Sequence, residues 1–154
     1  MRALAVDYGR RRIGLALSDA TGMLARPWKT IARVGNPREV AQTIANEVAD
    51  LAAQEEPVAV VVLGYPRRLN GEPSGQTASV ESLASHVRRL LTVPLVMQDE
   101  RLSSREAEAL LARQEKDWRK RKRQLDAMAA AVILQDYLDS TATRADSQAE
   151  DSDL

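Results

Sequence analysis

Three groups of carboxylates stand where acid chemistry is plausible. Asp7 closes the short apolar run Ala3 to Val6, Asp99-Glu100-Arg101 closes the run opened by Pro94, and Asp126 precedes Ala127, Ala129, Ala130 and Ala131. A carboxylate at the end of a buried strand is poorly solvated and needs a compensating arginine, backbone donor or metal ion. The chain has no cysteine and one histidine, His86, set apart from every motif, so histidine acid–base catalysis is not expected. Oxygen donors without histidine or thiolate suit Mg²⁺ or Mn²⁺ rather than zinc. Two such ions about 4 Å apart activate a water and stabilise the leaving oxygen in phosphodiester cleavage. Simpler roles compete at each position. Asp7 suits a hairpin turn as a hydrogen-bond acceptor, the acidic pair suits a strand-end salt bridge, and Asp126 suits a first-turn helix acid. Asp99 and Glu100 point to opposite faces of a regular strand, and their order alone does not say which looks inward.

The elements that must position these groups follow from periodicity. Strand signals fall at Ala3 to Asp7, Ile13 to Ser18 and, more weakly, Trp28 to Ala32, with a turn at Asp19-Ala20-Thr21-Gly22. Gly9 and Gly14 lack a Cβ and leave room for a close backbone approach. Asn36-Pro37 caps a helix that carries Val40, Ile44, Val48 and Leu51 through about Gln54. The unbroken run Val58 to Leu63 predicts a strand covered on both faces. A loop over 64–76 follows, then a helix from Thr77 to Leu91 and a strand from Leu95 to Asp99. Ser103 or Ser104 caps a third helix with Glu106 as its box partner, and a last helix spans about Gln124 to Leu138. Strands alternating with helices after the hairpins predict a mixed sheet with helices on both faces.

Composition bounds the partners. The 154 residues fit one domain, and no apolar run approaches a membrane span. Charge appears too early for a signal-peptide core, and the lack of cysteine suits a cytoplasmic protein. The 22 basic and 22 acidic residues cancel only over the whole chain. Residues 139–154 hold five acids against Arg144 alone, which leaves 1–138 net basic. That tail has almost no large apolar residue, so it is expected to be disordered, with 1–138 as the folded domain. Basic groups cluster as Arg10-Arg11-Arg12 beside Asp7 and as Lys116, Arg119, Lys120, Arg121, Lys122 and Arg123. Both clusters suit phosphate contacts, Trp118 suits stacking on an unpaired base or core packing, and Arg67 and Arg68 add weaker candidates.

Four motifs in register carry a resemblance: Val-Asp-Tyr-Gly with Arg-Ile-Gly-Leu-Ala-Leu-Ser-Asp, Gly64-Tyr65-Pro66 with Gly71, Asp99-Glu100-Arg101-Leu102-Ser103-Ser104, and Leu125-Asp126 with Ala129-Ala130 and Ile133-Leu134. The chain resembles the YqgF (RuvX) family of Holliday-junction-resolvase-like nucleases, implicated in maturing pre-16S ribosomal RNA, over about residues 2 to 138. The resemblance implies an RNase H-like fold with strand order 3-2-1-4-5 and metal-dependent cleavage. By similarity Asp7, Glu100 and Asp126 take the catalytic metal-ligand positions, with Asp99 and Arg101 in support. It also implies a nucleic-acid substrate, RNA precursor favoured over branched DNA, acted on by a monomer or homodimer away from membranes. Leu83 stands where the family often has Phe, and Ser103-Ser104 where it has a Thr pair.

Other classes remain to be weighed. A sugar-kinase or ATPase phosphate loop also reads Asp-x-Gly after a first strand, but its clamp needs two such domains, and this chain has length for one. A Holliday-junction resolvase acting in DNA repair keeps the chemistry and changes the substrate. A non-catalytic RNA-binding assembly factor keeps the basic patches without turnover, its carboxylates serving as ion-pair partners.

Overall fold

The computed structural model describes residues 1–65, 77–99, 109, 113 and 117–152. The expectations for Arg67, Arg68, Glu100, Arg101, Lys116 and the helix capped at Ser103 or Ser104 fall outside these residues, as do those for the side chains of Trp118, Arg119, Arg121, Lys122 and Arg123.

A central strand β1 (Arg2–Tyr8) pairs antiparallel with β2 (Arg12–Ser18), which pairs antiparallel with β3 (Ala25–Ala32). On its other side β1 pairs in parallel with β4 (Val58–Tyr65), and β4 in parallel with β5 (Leu95–Asp99). The order is β3-β2-β1-β4-β5, as the resemblance implies. Parallel neighbours need long crossovers. Helix α1 (Pro37–Ala53) crosses from β3 to β4, and α2 (Thr77–Leu90) from β4 to β5. Asn36 caps α1 as its sequence predicts, its Oδ1 accepting from Glu39 N at 2.9 Å.

Strand alternation divides the core into two layers. Leu4, Val6, Tyr8, Ile13, Leu15, Leu17, Val61 and Leu63 face α1 and α2, where Val40, Ile44, Leu51, Val80, Leu83 and Val87 complete a buried cluster. Ala3, Ala5, Ala16, Val60 and Val62 face the opposite way, onto the last helix α3 (Trp118–Ser152). The run at 58–63 is thus covered on both faces, each fully buried Leu or Val contributing about 1.5–3 kcal/mol. The α3 layer is rich in small residues, with Ala129, Ala130 and Ala131 in one cluster with Ala3, Ala5 and Ala16, and the helix lies close to the sheet.

β4 runs two residues into the expected loop, through Tyr65, and three boundaries differ from the sequence reading by three residues or more. β3 begins at Ala25 rather than Trp28, because Pro27 sits on an edge strand at a register shift opposite Leu15 and Ala16, where a missing N–H is tolerated. The last helix begins at Trp118 rather than Gln124. Arg, Lys and Gln are good helix formers, and a basic run does not interrupt the helix ladder. It also continues through Ser152 instead of ending at Leu138, so residues 139–152, expected to be disordered, are helical. Among the described residues nothing beyond Leu138 joins either core cluster.

Candidate active site

Asp7 occupies the last but one position of β1, on the α3 face by alternation with Ala3 and Ala5, and is partly exposed. Its register partner across the hairpin is Gly14. An ideal Cβ built on Gly14 falls 1.9 Å from the Asp126 carbonyl oxygen and 2.9 Å from Ala127 N. Glycine at this position therefore lets the α3 backbone rest directly on β2, and that contact delivers Asp126 to the face that carries Asp7. Because α3 starts at Trp118, Asp126 lies well inside the helix and not in its first turn. Interaction with the helix N-terminus, which fades beyond the first turn, is thereby removed as its role.

The hairpin supplies the cation. Arg12 shares the face of Gly14, Ala16 and Ser18, and its Nε donates to Asp126 Oδ2 at 2.7 Å. The Arg12 side chain is 49% exposed and that of Asp126 24%. The turn is clamped at its base: Gly9 N donates to Arg12 O at 3.0 Å, and Arg33 N donates to Arg11 O at 2.9 Å. A Cβ on Gly9 would fall 2.5 Å from Arg12 O, so the turn is built for glycine. Arg33 also donates through Nη1 to Gly9 O at 3.1 Å and lies 4.0 Å over the Tyr8 ring. Among the described residues the buried Tyr8 hydroxyl has no hydrogen-bond partner. Burial raises its pKa, against the opposing charge of Arg33, so the ring stays neutral and the contact is cation–π. Arg10 and Arg11 are exposed and make no ion pair with another described residue.

Asp99 goes elsewhere. It follows Leu95 and Met97, which pack toward α1 and α2, and pairs in register with Tyr65 on the same face. Strand geometry therefore separates Asp99 from Asp7 and Asp126. His86 lines a cleft with Asn36, Arg38, Glu39, Gln42, Arg89 and Leu90, formed by the helices of the other sheet face. Of the basic block, Lys120 is described and exposed on α3. Among the described residues no three His, Cys, Asp or Glu gather as a metal cluster. Of the three expected ligands Asp7 and Asp126 are described; their hard oxygens fit Mg²⁺ or Mn²⁺, and Arg12 already places one cation against Asp126. Sequence reasoning took Arg12 as a phosphate contact and missed its bond to Asp126, although alternation from Gly14 carried the signal. Arg33 left no local signal, since its partners lie more than twenty residues away along the chain.

A five-stranded mixed sheet of this order, with helices on both faces and an acid at the end of its central strand, is the RNase H-like arrangement. The family described as "RuvX: Holliday junction resolvase" matches residues 1–140. A protein of Syntrophus aciditrophicus named "Putative pre-16S rRNA nuclease" is 37% identical over 142 residues, 91% of this chain and 89% of that one. A protein of the same name from Chloroflexus aurantiacus is 40% identical over 137 residues, 89% and 86% of the two chains. Among solved structures, T. thermophilus RuvC in complex with a Holliday junction substrate matches with a TM-score of 0.51 and 17% identity, covering 86% of this chain and 91% of that one. That likeness is one of fold. The chain belongs to the RuvX family.

Proposed function

We propose that this protein is a metal-dependent nuclease that cleaves phosphodiester bonds in structured nucleic acid, with the 5′ end of pre-16S ribosomal RNA as its substrate. The observation that carries the reading is the delivery of Asp7 and Asp126 to one face at Gly14, a position where only a glycine admits the helix. Asp7, Glu100 and Asp126 hold Mg²⁺ or Mn²⁺. Glu100 is taken over its neighbour because Asp99 belongs to the opposite face. When bound, the ions supply Lewis-acid activation of the attacking water and offset charge on the leaving oxygen. The protein's own groups bind and orient the strand. Arg10 and Arg11, exposed and without an ion pair among the described residues, offer guanidinium forks to phosphate beside Asp7. Arg67, Arg68, Lys116 and the block Arg119 to Arg123 extend the phosphate contacts, Trp118 stacks on an unpaired base, and Asp99 and Arg101 support the acidic segment. The protein acts in the cytoplasm, and among the described residues no helix is long and apolar enough to cross a membrane.

The test is Asp7→Asn, assayed on a model pre-16S RNA and on a four-way DNA junction with Mg²⁺ or Mn²⁺. Cleavage is abolished while the circular dichroism spectrum is retained. Full activity of the purified variant refutes the assignment. Preferential cleavage of the junction moves the substrate to branched DNA, for which symmetric resolution requires a dimer visible by sizing. The Arg12–Asp126 pair favours one competing reading, a non-catalytic RNA-binding assembly factor whose acids are ion-pair partners. RNA binding without cleavage at any divalent-ion concentration supports that reading.

A further inference from the structure

Arg12 lies closest to the chemistry yet is tied to an acid rather than free for substrate. Its Nε sits 2.7 Å from Asp126 Oδ2, while about half of its side chain remains exposed. The neighbouring Arg10 and Arg11 are exposed and make no ion pair with another described residue. The backbone of the turn is held by the Gly9 and Arg33 hydrogen bonds, so exchange of partners at Arg12 needs only side-chain rotation.

We infer that Arg12 is a resident counter-ion that holds Asp126 until a divalent ion displaces it, whereupon Arg12 turns to a substrate phosphate. The inference rests on the proposed metal site. A guanidinium and a divalent cation compete for the same carboxylate, since each is stabilised by its negative charge and each repels the other. A phosphate offers the displaced guanidinium the planar, two-oxygen geometry it prefers. Metal and substrate are therefore coupled through one side chain: whichever binds first releases the constraint on the other, and linkage makes the effect reciprocal. In the absence of both, Arg12 keeps the buried side of the acidic face compensated.

Two binding measurements test this without turnover. Mn²⁺ affinity of the RNA-free protein is read by electron paramagnetic resonance for wild type, Arg12→Ala, Arg12→Gln and Asp126→Asn. Removing the competing cation tightens Mn²⁺ binding about fivefold, equivalent to about 1 kcal/mol, the upper end for a part-exposed pair. Arg12→Gln, which keeps the stem and serves where the alanine variant is unstable, shifts affinity in the same direction, and Asp126→Asn weakens it. The second measurement follows binding of a 2′-O-methyl RNA hairpin by fluorescence anisotropy. Arg12→Gln lowers RNA affinity less than twofold without divalent ion and about fivefold in saturating Mn²⁺, because only then is Arg12 free in the wild type. Unchanged or weaker Mn²⁺ binding in both Arg12 variants, or an equal RNA effect with and without Mn²⁺, overturns the inference while leaving the metal site standing. Mn²⁺ binding that is absent in wild type, or identical in Asp126→Asn, overturns the metal-site reading and this inference with it.

Discussion

Gly14→Ala isolates the contact on which the site depends. The added methyl lies 1.9 Å from the Asp126 carbonyl oxygen, whereas ordinary van der Waals contact begins at 3.4 Å. The obstacle is backbone on both sides, the β2 strand and the α3 helix, so no side chain can swing aside. Relief requires α3 to withdraw from β2 by about 1.5 Å at that point. The withdrawal loosens a layer in which Ala130, Ile133 and Leu134 are fully buried. Overpacking of a tight core costs about 1–3 kcal/mol, and a clash with backbone belongs at the upper end. For a domain of this size about 3 kcal/mol lowers the melting temperature by roughly 6–12 °C. The chemistry suffers more than the fold. A shift of about 1 Å in a catalytic group can cost on the order of 100-fold in rate, and Asp126 moves with the helix while Asp7 does not. Urea denaturation and Mn²⁺ titration of the same sample measure both effects. A variant with unaltered denaturation midpoint and unaltered Mn²⁺ affinity refutes the argument that Gly14 sets the spacing of the two acids.

Three further outcomes are expected. Truncation after Ser140 removes four acids and Arg144 but no residue of either described core cluster, so the melting temperature changes by less than about 2 °C, as for other surface changes. RNA binding at low salt tightens, and a large loss of stability shows instead that the end of α3 is docked. Replacing Arg119, Lys120 and Arg121 together by alanine preserves the helix and flattens the salt dependence of nucleic-acid binding, by about 0.7–0.9 in log–log slope per lost phosphate contact. An unchanged slope places these residues away from substrate. The hydroxyl of Thr21 and the amides of Leu24 and Met23 hold the Asp19 carboxyl at about 2, below its usual 3.8. A depressed carboxylate stabilises the fold above its unfolded pKa and loses that contribution as pH falls through the folded value. Melting curves of Asp19→Ala therefore lie below wild type at pH 6 and converge on it near pH 2; a constant offset contradicts this.

What was legible in the sequence follows the range of the forces involved. Alternation and apolar runs are local, so β1, β2, β4, β5 and the cap of α1 stand where periodicity puts them, and the burial of Val60 and Val62 on one face and of Val61 and Leu63 on the other was written in an unbroken run. The strand signal from Trp28 fell short of Ala25 because a proline is tolerated on an edge strand with a bulge, and strand order is not a local property. The basic block misled for a related reason: charge composition speaks of solvation, whereas helix propensity decides whether the backbone continues, and α3 continues through it. The site itself was half legible. The acids could be named from residue type and position, but the Arg12–Asp126 bond spans 114 residues and required knowing that Gly14 is where helix meets strand. Once that contact is fixed, the parity of two elements determines the rest. Arg12 lies two positions from Gly14 on the same face, Asp7 lies across from it, and Asp99 is excluded by the register of β5. The geometry of one glycine thus converts a set of plausible acids into a particular pair with a particular cation, an arrangement that tests on Gly14 and Arg12 address independently of the substrate.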